Sequence, residues 1–227
     1  MSLESFQEQL ELERTWREDE IRFLDNLQRG FEEEKRFKFR RSIMCLYYAH
    51  IEGFVQFAFS LYVDEINKQG LKCSEVKSVI AAATLHNEFM ALHNKDKKSK
   101  IFKKSLPNET HIHRLSRQVE FVDSLSLVND QIVLVPDGYI NTESNVGREV
   151  LEKLLYQVGL EYDDLKHTYG SLNKLLNTRN DIAHGKKKTG INDTDYTGYH
   201  TCCLGIIQHI SQKLTTAYGS NKYLKTG

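Results

Sequence analysis

The sequence predicts an all-helical protein, and three observations carry that expectation. Hydrophobic residues make up 40% and charged residues 27% of the 227 residues, enough apolar side chains for one packed core and too many for a disordered chain. Proline occurs only twice, unlike a protein built from many strands and turns. Along most of the chain the apolar positions recur at helical spacing instead of alternating. The expected organisation is a single domain over residues 1–227, with a loop and hairpin insertion at about 94–145.

Residues from Ser2 to Gln28 place Phe6, Leu10, Leu12, Trp16, Ile21, Phe23, Leu24 and Leu27 among charged clusters, a helical pattern that Gly30 closes. A second helix starts near Phe31. Between Ile43 and Val63 it is apolar almost all round, as expected for a helix enclosed by others. Glu52 and Gln56 interrupt that run, which is too short to span a bilayer needing ~20 apolar residues. A third helix is expected from Ser74, its candidate N-cap, to about His93.

The lysine-rich stretch Asn94–Pro107 follows, then a helix from about His113 to Leu127. Ile132-Val133-Leu134-Val135, the turn Pro136-Asp137-Gly138 and Tyr139-Ile140 read as a small β-hairpin. Asn145 is a candidate cap for a helix whose stripe of Val150, Leu151, Leu154, Leu155 and Val158 ends before Gly159. A helix from about Thr168 to His184 is closed by Gly185 and three lysines. The last helix runs from about Thr194 to Tyr218.

Several function classes lack their sequence signatures. There is no Walker A loop, no G-x-G-x-x-G and no H-E-x-x-H, so nothing supports nucleotide hydrolysis, dinucleotide use or zinc proteolysis. His111 with His113, or His200 with Cys202 and Cys203, lack the ordered spacing of a zinc site. No metal and no cofactor are expected. Cys45, Cys73, Cys202 and Cys203 show no C-x-x-C spacing and read as reduced thiols. The first ten residues lack the features of a secretion signal, so the expected location is the cytoplasm, with no membrane partner. Lysine plus arginine equals aspartate plus glutamate at 31 each, so attraction to nucleic acid has to come from local patches.

One helix carries the chemical signal. On a wheel advancing ~100° per residue, Leu172, Leu175, Leu176, Ile182 and Ala183 share one arc, and Arg179 lies near its centre. Burying an unpaired guanidinium costs on the order of several kcal/mol, so this position asks for an anionic partner, an interface or a phosphate. A snorkelling surface arginine is the plain alternative. Asn173, Asn177, Asn180 and His184 form an adjoining polar arc in which Asn180 and His184 are i, i+4 neighbours. His184 in the last turn also complements the helix dipole.

Arg179-Asn180-Asp181-Ile182-Ala183-His184 resembles the R-N-x-x-x-H form of the HEPN motif. Tyr48-Ala49-His50-Ile51-Glu52-Gly53-Phe54 resembles the Y-A-x-x-E-G-F stretch of the RiboL-PSP and MAE-type HEPN-like nucleases. Trp16–Phe23, and Glu143-Ser144-Asn145 leading into Val150-Leu151 and Val158-Gly159-Leu160, look like the same branch. The resemblance implies a HEPN-type antiparallel helical bundle with additional helices. It implies a metal-independent endoribonuclease in which the RNA 2′-hydroxyl attacks the adjacent phosphate, acting as a toxin or antiviral defence effector. Arg179, Asn180 and His184 would be catalytic, in a site shared by two copies of a homodimer, with an antitoxin or defence-system partner as a further expectation. Members of the superfamily also serve as non-catalytic modules that bind RNA, a nucleotide or a protein.

Tyr48 and Glu52 are supporting candidates, and a buried Arg179–Glu52 pair would explain two charges on apolar helices. Lys186, Lys187 and Lys188 follow the motif and are candidate RNA contacts. The stretch Lys95, Lys97, Lys98, Lys100, Lys103 and Lys104 reads equally as a solvated loop or as an RNA contact. HEPN toxins silenced by nucleotidylation carry a tyrosine two residues after the histidine. Lys186 stands there, which argues against that control.

Overall fold

The computed structural model describes residues 1–94, 110–163 and 169–225. Among these residues the chain forms α1 (Leu3–Arg29), α2 (Glu33–Asn67), α3 (Ser78–Thr84), α4 (His86–His93), α5 (Thr110–Val128), α6 (Arg148–Gln157), α7 (Tyr169–Ala183) and α8 (Asp193–Gly219). The structure is thus all-helical, as expected. Two compact units are formed, Met1–Tyr62 with Ile140–Lys222, and Val63–Tyr139 with the C-terminal residues from Tyr223. No helix among the described residues is long and apolar enough to cross a membrane.

In the larger unit, Ser2 caps α1 by accepting from the Ser5 amide (3.2 Å). Phe6 then stacks on Tyr218 at 4.4 Å and meets Tyr62 edge-on at 6.4 Å. The start of α1 therefore lies at the end of α8, and its contacts run antiparallel to both α2 and α8. At the other end Arg40 is 4% exposed. Its guanidinium donates to Gln28 Oε1 (2.9 Å), the Ile191 carbonyl (3.3 Å) and Asp193 Oδ1 (2.7 Å), while lying 4.3 Å from the Tyr196 ring centroid. Each nitrogen has an acceptor, so the buried charge is satisfied. Tyr47 donates to Tyr196 (2.8 Å), which donates to Asp25 (3.1 Å). These polar contacts set the register of α1, α2 and α8.

α6 buries Val150, Leu151, Leu154 and Leu155, and Gly159 takes a φ of 72° just beyond it. Its N-cap is Gly147, not Asn145. The Arg148 amide is instead taken by Asn173 Oδ1 of α7 at 3.0 Å, so a tertiary contact supplies the cap that local spacing assigned to Asn145.

The smaller unit departs from expectation twice. The helix expected from Ser74 to His93 divides at Leu85, and its N-cap is Lys77. Val76, assigned to that helix, makes an antiparallel bridge with Leu224, because the Lys77 amide donates to the Tyr223 carbonyl (2.9 Å) and the Lys225 amide to that of Glu75 (2.9 Å). The expected hairpin does not form. Val133 and Val135 are buried and Ile132 and Leu134 exposed, so the alternation is real. Its partner, however, is the stretch after α2: Ile132 bridges Lys72, the Val133 amide donates to the Leu71 carbonyl (2.8 Å), and Asn67 pairs with both backbone groups of Val135. Thr84 takes the Leu134 amide, while the Tyr139 amide donates to the Pro136 carbonyl (3.2 Å) and the Ile140 carbonyl accepts from Gln56.

After α7 the chain returns to α2, where the Ile191 amide donates to the Phe37 carbonyl (2.9 Å). A Cβ at Gly190 would lie 2.5–2.9 Å from the Phe37 Cβ, carbonyl carbon and oxygen. Gly190→Ala is expected to destabilise the protein by about 1–3 kcal/mol, read from the urea midpoint. Gly198→Ala, within α8 and with nothing within 4 Å of its Cβ position, is expected to stabilise by up to about 1 kcal/mol. Equal effects would show that the close approach is not tight.

His50 is 5% exposed, with its Nε2 3.3 Å from Glu20. Burial holds its imidazole below the ordinary 6.5, Glu20 pulls the other way, and Arg17 adds to the depression. The unfolded chain therefore binds this proton more readily, and stability falls as pH drops below about 6.5. Melting temperatures of the protein and of His50→Gln between pH 7.5 and 5 test this. The variant is expected to lose less on acidification, and parallel curves would rule out the His50 contribution.

Candidate active site

α7 is held by its apolar stripe, with Leu172 and Leu175 fully buried and Leu176 8% exposed. Thr178 fixes the middle of the helix through a 2.8 Å hydrogen bond with the Tyr199 hydroxyl. Beyond it the helix emerges from the core: Arg179, Asn180 and Ile182 are half-buried, and Ala183 and His184 exposed. The wheel placed Arg179 at the centre of a buried arc. The arc is real only for its first half, because the last turn projects past the elements that cover the rest.

Gly185 ends the helix with a φ of 72°, as a left-handed residue does at low cost only when it lacks a Cβ. The Lys187 amide folds back onto the Asp181 carbonyl (2.9 Å). The lysines follow directly, Lys186 and Lys188 exposed and Lys187 half-buried. Asp181 is the sole acidic residue from Arg179 to Lys188.

The Arg179 guanidinium carbon lies 4.5 Å from the centroid of the Tyr48 ring. Its Nη1 donates to Asn180 Oδ1 at 2.8 Å. A cation–π contact orients the charge without neutralising it, and Arg179 has no carboxylate partner among the described residues. The expected Arg179–Glu52 ion pair is not formed: Glu52 Oε1 instead accepts from the Thr142 hydroxyl (3.2 Å). Asn180 turns its side-chain oxygen to Arg179, and its carbonyl accepts the His184 amide (2.9 Å).

Tyr48 is fully buried, and its phenol is pushed up to about 12, by burial first and then by the charge of Glu52, with the Val146 backbone and Arg179 pulling down. Tyr48 therefore stays protonated near neutral pH. It is a platform for Arg179, not a proton-transfer group. Gln56, next on the same stripe of α2, donates to the Ile140 carbonyl (3.0 Å) and accepts from the Thr142 amide (3.3 Å). Thr142 gave no signal in the sequence; Asn173 did, but as part of a polar surface and not as the group that holds the start of α6.

The other candidates lie apart from this cluster. His200 packs edge-on against Tyr47 at 5.9 Å, and the Cys203 thiol donates to the Tyr47 carbonyl (3.5 Å). Burial pushes the Cys202 thiol up to about 11 and raises Cys203 as well, so neither is a ready thiolate. Among the described residues no three His, Cys, Asp or Glu side chains converge as a metal centre requires. The lysine stretch from Lys95 to Lys104 lies outside the described residues.

A search of curated proteins and a search of solved structures each gave no significant match. The family model for RiboL-PSP-HEPN matches residues 12–216, a span that includes α2, the Thr142 segment and all of α7 with its closing turn. The chain belongs to the RiboL-PSP-HEPN family, a HEPN-type domain.

Proposed function

We propose that this protein is a metal-independent endoribonuclease, and that Arg179, Asn180 and His184 carry its chemistry. The observation behind the reading is a guanidinium held on an aromatic face with no carboxylate partner among the described residues, followed five residues later by an exposed histidine. A fixed, permanently charged fork of donors suits a phosphate whose charge grows during reaction. In this reading the RNA 2′-oxygen forms a bond to the adjacent phosphorus as the bond to the 5′-oxygen breaks. The products are a 2′,3′-cyclic phosphate and a 5′-hydroxyl. One proton leaves the 2′-hydroxyl and one reaches the departing 5′-oxygen, transfers suited to imidazole.

Asn180 holds Arg179 in aim, and Tyr48 limits its swing. Glu52 acts one step back, through Thr142. Lys186, Lys187 and Lys188 extend the positive surface along the RNA backbone. Each chain carries one His184 for two proton transfers, so we assign the working unit to a homodimer in which two motifs face one cleft. A toxin or defence effector restrained by an antitoxin or defence-system partner fits such an activity.

Incubation of mixed RNAs with the protein in excess EDTA is expected to give fragments ending in 2′,3′-cyclic phosphate, with DNA left intact. Arg179→Ala and His184→Ala are each expected to lower the rate at least about 100-fold. Loss of cleavage in EDTA, or its survival in His184→Ala, would sink the mechanism; retention of RNA without cutting would identify a binding module instead.

Replacing Lys186, Lys187 and Lys188 together by alanine is expected to weaken RNA binding across all sequences. The slope of log affinity against log salt should also become shallower, by about 0.7 on single strands for each phosphate that the lysines neutralise. An unchanged slope would remove these lysines from the interface.

A further inference from the structure

The segment joining Ile140 to α6 is strained, tethered and incompletely used. Glu143 and Ser144 both have left-handed φ, 56° and 52°, and the Asn145 amide donates to the Thr142 carbonyl at 3.0 Å. That is a turn of the I′ kind, in which Asn-Gly is the favoured pair. Here neither residue is glycine, so the backbone is held where L-residues lose free energy.

What holds it is a set of tethers on both sides. Thr142 bonds Glu52 and Gln56 of α2. Asn141 Oδ1 accepts the Glu143 amide (2.7 Å), and Lys153 of α6 pairs with the Glu143 carboxylate. The chain then passes Tyr48 at Val146 and reaches α7, where a Cβ at Gly147 would be 3.0 Å from Asn173 Oδ1. The turn thus stands beside the ring that carries Arg179, between the two helices that form the site. At its tip Ser144 and Asn145 are exposed, and their side chains make no hydrogen bond among the described residues.

We propose that this turn reads one unpaired base of the bound RNA, with the Asn145 amide as the principal contact and the Ser144 hydroxyl as the second. A carboxamide offers a donor and an acceptor side by side, matching the polar edge of a base splayed out of a single strand. Rigid tethering lets it do so with little loss of freedom on binding. Arg179 takes the phosphate and the turn takes the neighbouring base, so the preferred substrate is single-stranded RNA with one defined base beside the cut. The inference rests on the reading of this site as one that holds RNA.

The test uses the full chain with His184→Ala to prevent cutting, and labelled single-stranded eight-nucleotide RNAs that differ only in one central base. Fluorescence anisotropy is expected to show about tenfold tighter binding for one of the four bases. Asn145→Ala should compress that ratio below about threefold. The isosteric Asn145→Asp, which removes the donor while keeping the shape, should change which base is preferred, and thermal melts confirm that both variants fold. No base preference in the parent, no RNA binding, or a preference unchanged in both variants overturns the proposal. Cleavage by the unmodified chain without base preference sinks this inference alone, whereas base preference without any cleavage sinks the ribonuclease reading alone.

Discussion

The polar seam of α2 is the constraint on which the site depends. The rest of that helix around it, Tyr47, Ile51, Phe54, Val55, Ala58 and Phe59, is fully buried, so α2 cannot shift or rotate without breaking the core. Along one edge Tyr48, Glu52 and Gln56 recur every four residues and face the same side. Gln56 and Glu52 grip the chain at Ile140 and Thr142, while Tyr48 supports Arg179 from α7. Three side chains on one rigid helix therefore place two distant segments of the sequence next to each other.

That seam also explains why a carboxylate and a guanidinium on facing helices do not pair. A direct Arg179–Glu52 bridge would satisfy both charges and remove the guanidinium from use. Thr142 donates to the carboxylate oxygen, the Tyr48 ring holds the guanidinium from one side, and Asn180 receives one guanidinium nitrogen. Arg179 is oriented by neutral groups and keeps its full charge. The contrast with Arg40 is instructive: there every nitrogen ends on an acceptor, one of them the Asp193 carboxylate, as befits an arginine that ties helices together.

The helices were legible in the sequence because each buries a stripe at a spacing that only a helix can bury. Phe6 and Leu10 in α1, and Leu151 and Leu154 in α6, illustrate it, all fully buried. The segments that failed share a physical reason. Ile132–Val135 alternates correctly, but alternation reveals a pleated segment and not the identity of its partner. Asn145 has cap chemistry, but Asn173, distant in sequence, supplies the cap. Periodicity likewise located Arg179 without showing that the final turn of α7 emerges from cover, since burial there depends on where the neighbouring elements stop. What the motif region disclosed was residue type; what it withheld was which oxygen each donor meets.

Charge balance sets the reach of the site. With equal numbers of acidic and basic residues, the protein projects no general attraction for RNA, and many of its cations are absorbed internally, as in Arg17 with Glu13, Arg148 with Glu152 and Lys174 with Asp195. Arg179 stays outside that pairing, and the three consecutive lysines following His184 lie beyond the helix end, with Asp181 the sole acidic residue between Arg179 and Lys188. Their field decays within a Debye length of about 8 Å at physiological ionic strength. Electrostatic attraction for RNA under the proposed reading is thus short-range and centred on one helix end. A second copy bringing its own helix end to the same cleft would double the positive charge where the phosphate sits. Under the proposed homodimer, substrate and assembly would then favour each other, since the repulsion between two facing arginines would be relieved by a phosphate bound to both.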